Sequence, residues 1–291
     1  KSQKKKKVAS PRLDPPSITE PIAQSNFDKH LLELDHEGLI DESYLDKLLQ
    51  NNSFDFIALT YVNGEIGIIN PVLKLAKKIK SRSPHCHVHV DAVQALSKVD
   101  LTDLHNSAVD SASFSAHKIG GIKGIGCLYA CETLKKQLTP MIFGGSQEFS
   151  LRSGTENLMG IISFAEACKE RNVDDYNQNV LPLKNIILNF LRENSEKIVI
   201  NGSPEKSVSN TLNFHLKNLT IQKVLLRLEM EGLLLSTRSA CSSGVSGPSP
   251  TLLAIGASKE IASSSLRLSL SPQNTEEEIN QFILVISKLI K

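Results

Sequence analysis

The chain has 291 residues, with 33 Lys and Arg against 31 Asp and Glu. A formal net charge of +2 excludes a globally basic nucleic-acid binder, and no run of about 18 apolar residues predicts a membrane span. We find no apolar stretch at the N-terminus that predicts a signal peptide. Five cysteines at irregular spacing are no disulfide framework, and they favour a reducing, cytoplasmic compartment.

A basic run, KSQKKKK, occupies residues 1–7. Such a run is typical of a solvated, disordered chain end. A nuclear-import or nucleic-acid patch is the alternative, but the positive charge does not continue downstream.

Strand and helix patterns alternate between residues 56 and 130. A Pro-initiated run with helical spacing predicts a helix over residues 71–80. The predicted strands cover residues 56–62, 87–90, 109–116 and 127–130. This order is typical of a largely parallel α/β sheet, in which ligands bind outside the strand ends. Because Asn63, Asp91 and Lys118 each follow a strand, they mark the predicted site.

The pattern changes near residue 178. Strands are predicted over residues 209–215, 233–236 and 264–270, and helices over residues 156–171, 179–197, 221–231, 251–255 and 275–291. Asn274 is the predicted cap of the last helix. We therefore predict a large sheet-containing domain over residues 1–177 and a smaller α+β domain over residues 178–291.

Lys118 lies between a strand pattern and a glycine-rich turn. A lysine in such a place is most often a surface residue, but on a partly desolvated rim it can form a Schiff base with a carbonyl. Asp91, at the end of the preceding strand, could hold the protonated ring nitrogen of pyridoxal phosphate. It could equally bind a metal or cap the turn at Ala92, so either residue alone is weak evidence.

Asp91 and Lys118, in this order and 27 positions apart, belong to a longer series of motifs. The series runs YVNGEIG (61–67), HVDAVQ (89–94), SFSAHKIGGIKGIG (113–126), GGSQE (144–148), RSGTEN (152–157), SACSSG (239–244) and SLRLSL (265–270). From about residue 31 to the C-terminus, the chain resembles the cysteine desulfurases. These enzymes belong to the class V aminotransferase group of fold-type I pyridoxal-phosphate enzymes.

The resemblance implies the fold-type I architecture and pyridoxal 5′-phosphate as cofactor. Lys118 matches the lysine that binds the cofactor covalently, and Asp91 and Gln94 match the partners of the pyridine nitrogen and the phenolic oxygen. Asn63 lines the implied cofactor and substrate pocket, and Arg267 matches the arginine that pairs with the substrate carboxylate. The implied phosphate contacts are Ser115, His117 and, from the other subunit of a homodimer, Thr155.

Cys241 lies in a loop rich in serine and glycine, where a thiol is accessible. The resemblance implies that this thiol accepts sulfur from L-cysteine as a persulfide, leaves L-alanine, and passes the sulfur to an acceptor such as an iron–sulfur scaffold protein. Three other cysteines, Cys127, Cys131 and Cys168, are interpreted as small buried hydrophobic residues.

A histidine cluster, HCHVH over residues 85–89, raises the question of a metal site. Alternate side chains of a strand share a face, so His85, His87 and His89 could converge. Residues at i and i+2 of one strand seldom complete a tetrahedral site, so no metal is predicted.

The sequence departs from the family's pattern in its first part. We find no Gly- and Thr-containing turn for the cofactor phosphate, and Pro15 occupies the position of a histidine that stacks on the pyridine ring. Gly64 stands where Asn is usual, and Arg238 where Gly is usual. Two interpretations follow: a cysteine desulfurase, or a noncatalytic relative that keeps the fold and a partner-binding role.

Overall fold

The computed structural model describes residues 5–11, 15–237 and 247–291. These residues form two sheets, of six and three strands, with helices between and around them. The six-stranded sheet is mostly parallel, which confirms the predicted α/β class.

The larger sheet places three strand ends at one edge. Its strands are β1 (Lys7–Pro11), β2 (Asp28–Leu32), β3 (Phe56–Thr60), β4 (His87–Asp91), β5 (Ser111–Ser115) and β6 (Gly126–Ala130), in the order β2-β1-β3-β4-β5-β6. The first five are parallel, and β6 is antiparallel to β5. Thr60 is in register with Asp91, and Asp91 with Ser113, so the carboxyl ends of β3, β4 and β5 lie side by side.

Helices cover the apolar face of this sheet. The α-helices of the described residues are α1 (Pro16–Gln24), α2 (Glu42–Asn51), α3 (Val72–Arg82), α4 (Glu132–Lys135), α5 (Leu158–Glu170), α6 (Val173–Asp175), α7 (Leu181–Glu193), α8 (Ile221–Met230), α9 (Pro250–Ala254), α10 (Lys259–Ser264) and α11 (Glu276–Leu289). Leucines of α2 and α3 form one buried cluster with alternate residues of β3 and β4, such as Leu59 and Val90. None of the described helices is long and apolar enough to span a bilayer.

The smaller sheet has its own apolar core. It consists of β7 (Ile198–Ile200), β8 (Thr211–Leu216) and β9 (Ser265–Ser269), all antiparallel. Residues of α7, α8 and α11 pack with it, and Phe214 contacts Phe282 edge-on with ring centroids 6.2 Å apart.

Two turns join the sheets next to Asn63. The Ile69 amide donates to Lys206 O at 3.0 Å, and the Val208 amide donates to Gly67 O at 2.9 Å. Gly67 has a φ of 76°, which favours glycine. These bonds connect the two predicted domains directly. The division into residues 1–177 and 178–291 therefore stays a prediction.

Lys7, the last residue of the basic run, lies in a strand, contrary to the predicted disordered end. β1 begins at Lys7, whose amide donates to Asp55 Oδ2 at 2.8 Å. Because β1 pairs with both β2 and β3, tertiary pairing decides its structure more than local composition does.

Two predicted boundaries in the second half are wrong. Residues 233–236 form no strand; only Ser236 pairs, in an isolated bridge with Arg267. α11 is capped by Thr275 rather than Asn274, because Thr275 and Glu278 form a reciprocal capping box. Asn274 Oδ1 instead accepts a hydrogen bond from the Ser271 amide at 2.8 Å.

The burial predicted for three cysteines is also wrong. Cys127 and Cys168 are exposed and Cys131 is half-buried, whereas Cys86 is buried. Within the described residues, β6 is an edge strand, which explains the exposure of Cys127. Burial raises the pKa of the Cys86 thiol to about 12.

Candidate active site

Three segments meet at the carboxyl edge of β3, β4 and β5. Asn63 follows β3, Asp91 ends β4, and Lys118 ends a short 3₁₀ turn, Ala116–Lys118, directly after β5. The Gly121 amide donates to Ala116 O at 2.9 Å and closes this turn, so Lys118 is held at the rim of the sheet. The predicted grouping is therefore present.

Asp91 uses one carboxylate oxygen in a hydrogen bond to the backbone and leaves the other available to a ligand. The residue is 8% exposed, and Oδ1 accepts a hydrogen bond from the Val93 amide at 3.0 Å. Within the described chain, Oδ2 makes no hydrogen bond. Burial raises the pKa of Asp91, although the Val93 amide and the Lys118 charge both oppose this effect. A cationic N–H group in the pocket would stabilise the buried carboxylate.

Asn63 shapes the turn that follows β3. Its side-chain Oδ1 accepts hydrogen bonds from the Glu65 amide at 2.9 Å and the Ile66 amide at 3.0 Å. The Asn63 amide donates to Ile68 O. The residue is buried, so its first structural role is to hold the turn that carries Gly64 into the site.

Arg267 reaches this turn from the smaller sheet. Arg267 Nη1 donates to Gly64 O at 3.0 Å, and Asn213 Nδ2 donates to Glu65 O at 3.2 Å. Asn213 Oδ1 in turn accepts from Asn201 Nδ2 at 2.7 Å. The predicted substrate residue thus lies next to Asn63. Asn201 and Asn213 escaped sequence analysis, because a single polar residue within or just after an apolar strand carries no signal of its own.

The predicted phosphate contacts follow β5. Ser115 Oγ and His117 Nδ1 are 2.8 Å apart, and His117 is exposed. Burial and the neighbouring Lys118 and Lys123 lower the pKa of His117. In its neutral form, His117 can accept a hydrogen bond from the Ser115 hydroxyl at Nδ1. The hydrogen on Nε2 is then available to donate to an anion.

Gln94 lies on the turn after β4. Its Oε1 accepts a hydrogen bond from Lys98 Nζ at 3.3 Å, and a Cβ built on Gly64 would be 3.5 Å from its Nε2. Gln94 is thus placed between the Asp91 turn and the Asn63 turn. Sequence analysis missed Lys98, whose position four residues after Gln94 was the available signal.

Among the described site residues, Thr155 is not joined to this group. Thr155 is exposed in the loop before α5, and its backbone O accepts a hydrogen bond from Arg152 at 3.4 Å. Cys241 and Arg238 lie outside the described residues. The chain on either side of them is anchored: the Arg267 amide donates to Ser236 O at 2.6 Å, and the Ser249 amide donates to Ala262 O at 2.7 Å.

The histidine cluster forms hydrogen bonds to serines of the sheet. His87 Nε2 and His89 Nδ1 both contact Ser111 Oγ, at 2.7 and 2.8 Å. Burial lowers the pKa of His87, and burial together with His87 lowers that of His89 to about 4. His85 is exposed, and the described residues contain no group of three metal-ligating side chains.

The residues at the rim fit the ring of pyridoxal phosphate. Asp91, a buried residue, offers Oδ2 as an acceptor for a ring N–H, Gln94 offers an amide donor, and Lys118 is a half-buried amine within electrostatic range of Asp91. Ser115 and His117 add polar groups for the phosphate. Among the described residues, these hydrogen-bonding and charged groups suit an electron-poor heterocycle that carries a phosphate.

Comparisons with known proteins identify the family of the chain. The model of the aminotransferase class-V family matches residues 3–282. The chain belongs to this family. A relative from Dictyoglomus turgidum, named cysteine desulfurase IscS, is 33% identical over 296 residues, which cover the whole chain and 73% of the relative.

Two solved structures have the same fold as this chain. A structure described as a NifS-like protein superposes with a TM-score of 0.84 at 28% identity, covering 99% of this chain and 76% of the other. A structure of SspA in complex with cysteine gives a TM-score of 0.75 at 26% identity, covering 94% and 76%. Class-V aminotransferases and cysteine desulfurases depend on pyridoxal phosphate, so this is the cofactor of the chain.

Proposed function

We propose that this class-V protein is a cysteine desulfurase that converts L-cysteine to L-alanine and holds the released sulfur as a persulfide on Cys241. The proposal depends on one observation. Asp91 and Lys118 lie at the same sheet edge as the turn at Gly64, and Arg267 is hydrogen-bonded to that turn. A cofactor-binding edge and a carboxylate-binding side chain are thereby close together.

Arg267 has the chemistry to bind the substrate carboxylate. Its guanidinium carries five N–H donors in a planar fork, a geometry that suits a carboxylate, and Nη1 donates to Gly64 O at 3.0 Å. Because the Arg267 amide and carbonyl pair with Ser236, the same residue also holds the chain that leads to the Cys241 loop. Cys241 is five residues beyond Ser236, a span of at most about 18 Å.

The cofactor, when bound, supplies an electron sink for bond cleavage at the substrate's side chain. Asp91 Oδ2 would accept the hydrogen of its ring nitrogen, and Gln94 Nε2 would donate to its phenolic oxygen. Lys118 Nζ would hold the cofactor covalently, and as a free amine it would serve to move a proton at the substrate's Cα.

The sulfur transfer balances without an added oxidant. The Cys241 thiolate attacks the substrate sulfur, the S–S bond forms, and the Cβ–S bond breaks. The electron pair of the broken bond ends as a C–H bond at Cβ after protonation. L-Cysteine and one protein thiol thus give L-alanine and one persulfide.

The purified chain, supplied with pyridoxal phosphate and L-cysteine, should therefore form L-alanine and, with a thiol reductant, an equal amount of sulfide. Quantitative amino-acid analysis measures the first product and a colorimetric assay the second. Borohydride reduction of the loaded protein and peptide mapping should place the pyridoxyl group on Lys118.

Lys118→Ala is the matched negative variant, and Lys123→Ala, on the same glycine-rich turn, is the control that keeps the label. A label on Lys123 would refute the assignment of Lys118. Cofactor binding without alanine formation would favour the noncatalytic interpretation.

We also propose a homodimer in which Thr155 of one subunit contacts the cofactor phosphate of the other. Large apolar side chains are exposed around the Thr155 loop and along α5: Met141, Phe143, Phe149, Leu158 and Met159. Large exposed apolar side chains in this number are typical of a protein interface. The sulfur acceptor, an iron–sulfur scaffold or another carrier, and a cytoplasmic location complete the proposal, supported by the free cysteines of the described chain.

Sedimentation at micromolar concentration should give twice the 31.9 kDa chain mass. Met159→Glu should shift the protein to monomer, because it places a charge on the apolar surface of α5. Met230→Glu is the matched control, since Met230 is 70% exposed on α8, compared with 77% for Met159. A wild-type monomer with cofactor present would contradict the dimer.

A further inference from the structure

Lys98 is a buried cation beside the cofactor edge. It is 8% exposed, and its Nζ donates to two acceptors of one residue, Gln94 O at 3.2 Å and Gln94 Oε1 at 3.3 Å. Across the described residues, no carboxylate lies within 4.0 Å of it. Burial, with the nearby charge of Lys118, lowers the pKa of Lys98 to about 8. A buried ammonium group without an anion lowers the stability of the fold, so stability does not explain a lysine at position 98 and a functional role does.

Lys98 determines which end of the Gln94 amide faces the site. An ammonium group only donates, so the amide atom that it contacts must be the oxygen. The amino end, Nε2, is thereby directed to the side of the turn at Gly64. Without such a donor, the two orientations of a glutamine amide are nearly equal in shape and differ only in their hydrogen bonds.

We propose that Lys98 is a positioning residue that acts through Gln94, holding its amide so that Nε2 donates to the phenolic oxygen of pyridoxal phosphate. The inference rests on the proposed role of Gln94 as the partner of that oxygen. In the reverse orientation, Gln94 would present its carbonyl oxygen to an anionic oxygen, which repels it. Lys98 therefore excludes the nonproductive orientation.

The test is a double-mutant cycle on cofactor affinity, with equilibrium dialysis of the full chain against pyridoxal phosphate. Lys98→Met should raise the Kd about tenfold, as should Gln94→Ala. Because both act through one hydrogen bond, the double variant should bind no more weakly than Gln94→Ala alone. Lys98→Arg keeps a donor-only cation and should stay within about threefold of the parent Kd.

A spectroscopic measurement separates positioning from a structural role. Loss of the Gln94 donor should raise the pH midpoint of the visible band of the loaded protein, because the phenolic oxygen then holds more negative charge. Lys98→Met should raise this midpoint by about one pH unit, while leaving the melting temperature of the cofactor-free protein unchanged or higher.

Additive losses of affinity in the cycle, or an unmoved midpoint, would overturn the role of Lys98. A parent chain that binds the cofactor but forms no alanine would contradict the proposed activity without touching the cycle. A parent chain that binds no cofactor would overturn both.

Discussion

Replacing Cys241 by serine should reduce sulfide release from L-cysteine at least roughly a thousandfold. Serine keeps the size and polarity of the side chain but cannot form a persulfide. Cofactor binding should be unchanged, because Asp91, Gln94 and Lys118 come from strand ends of the larger sheet. Sulfide release and the Kd for pyridoxal phosphate, measured on the same preparations, check both statements.

The exposed cysteines supply the control for Cys241. Cys127 and Cys168 are exposed as residues and accessible to a reagent. Partial desolvation of each sulfur by neighbouring protein atoms raises the pKa of the thiol and so reduces the fraction of reactive thiolate. After incubation with L-cysteine, mass spectrometry should find the persulfide on Cys241 alone. Cys127→Ser and Cys168→Ser should retain the parent rate. A Cys241→Ser variant that releases sulfide at the parent rate would end the assignment.

The rim of the larger sheet could be predicted from sequence, because its signals are local. Asp91 and Lys118 each follow a short run with strand character, and parallel strands bring such ends together. The structure confirms that grouping and places Asn63 beside it. The role of each residue toward cofactor or substrate stays a prediction.

The contacts that join the two sheets could not be predicted in this way. Arg267 and Gly64 are 203 residues apart, and the acceptor is a backbone oxygen that every residue has. The same holds for Asn213 and Glu65, which are 148 residues apart. Such pairs depend on the packing of the whole chain.

The first strands escaped for a different reason. β1 (KVASP) is short and begins at the end of a charged run, and β2 (DKHLL) alternates exposed and partly buried positions. Neither run is apolar enough to stand out, and each is stabilised by its neighbours in the sheet. Lys184, inside a predicted helix, escaped because a lone lysine on a helix is ordinarily exposed.

Lys184→Met should lower the free energy of unfolding at pH 7 by about 2 kcal/mol. Lys184 is 2% exposed on α7, and its Nζ donates to Ser207 Oγ at 2.7 Å and to the carbonyls of Pro204 and Val208 at 2.9 Å each. Methionine leaves the Ser207 hydroxyl and two carbonyls without the donor that they share, at roughly 1–3 kcal/mol for each buried acceptor, and relief of the lysine's desolvation offsets part of this loss. Urea unfolding of parent and variant measures the difference.

The pH dependence gives this prediction a sign of its own. Burial lowers the pKa of Lys184 to about 8, from 10.5, although Glu205 opposes the shift. Between these two values the unfolded chain binds more protons than the folded one, so folding is favoured as pH rises. The stability of the parent relative to Lys184→Met should therefore increase between about pH 8 and 10.

Lys217→Met is the matched control, because Lys217 also donates to two carbonyls but is exposed. It should change stability by less than about 0.5 kcal/mol at every pH. A Lys184→Met variant as stable as the parent at pH 7 would show that the turn over residues 204–208, and with it the link to Gly67, is held without the ammonium group.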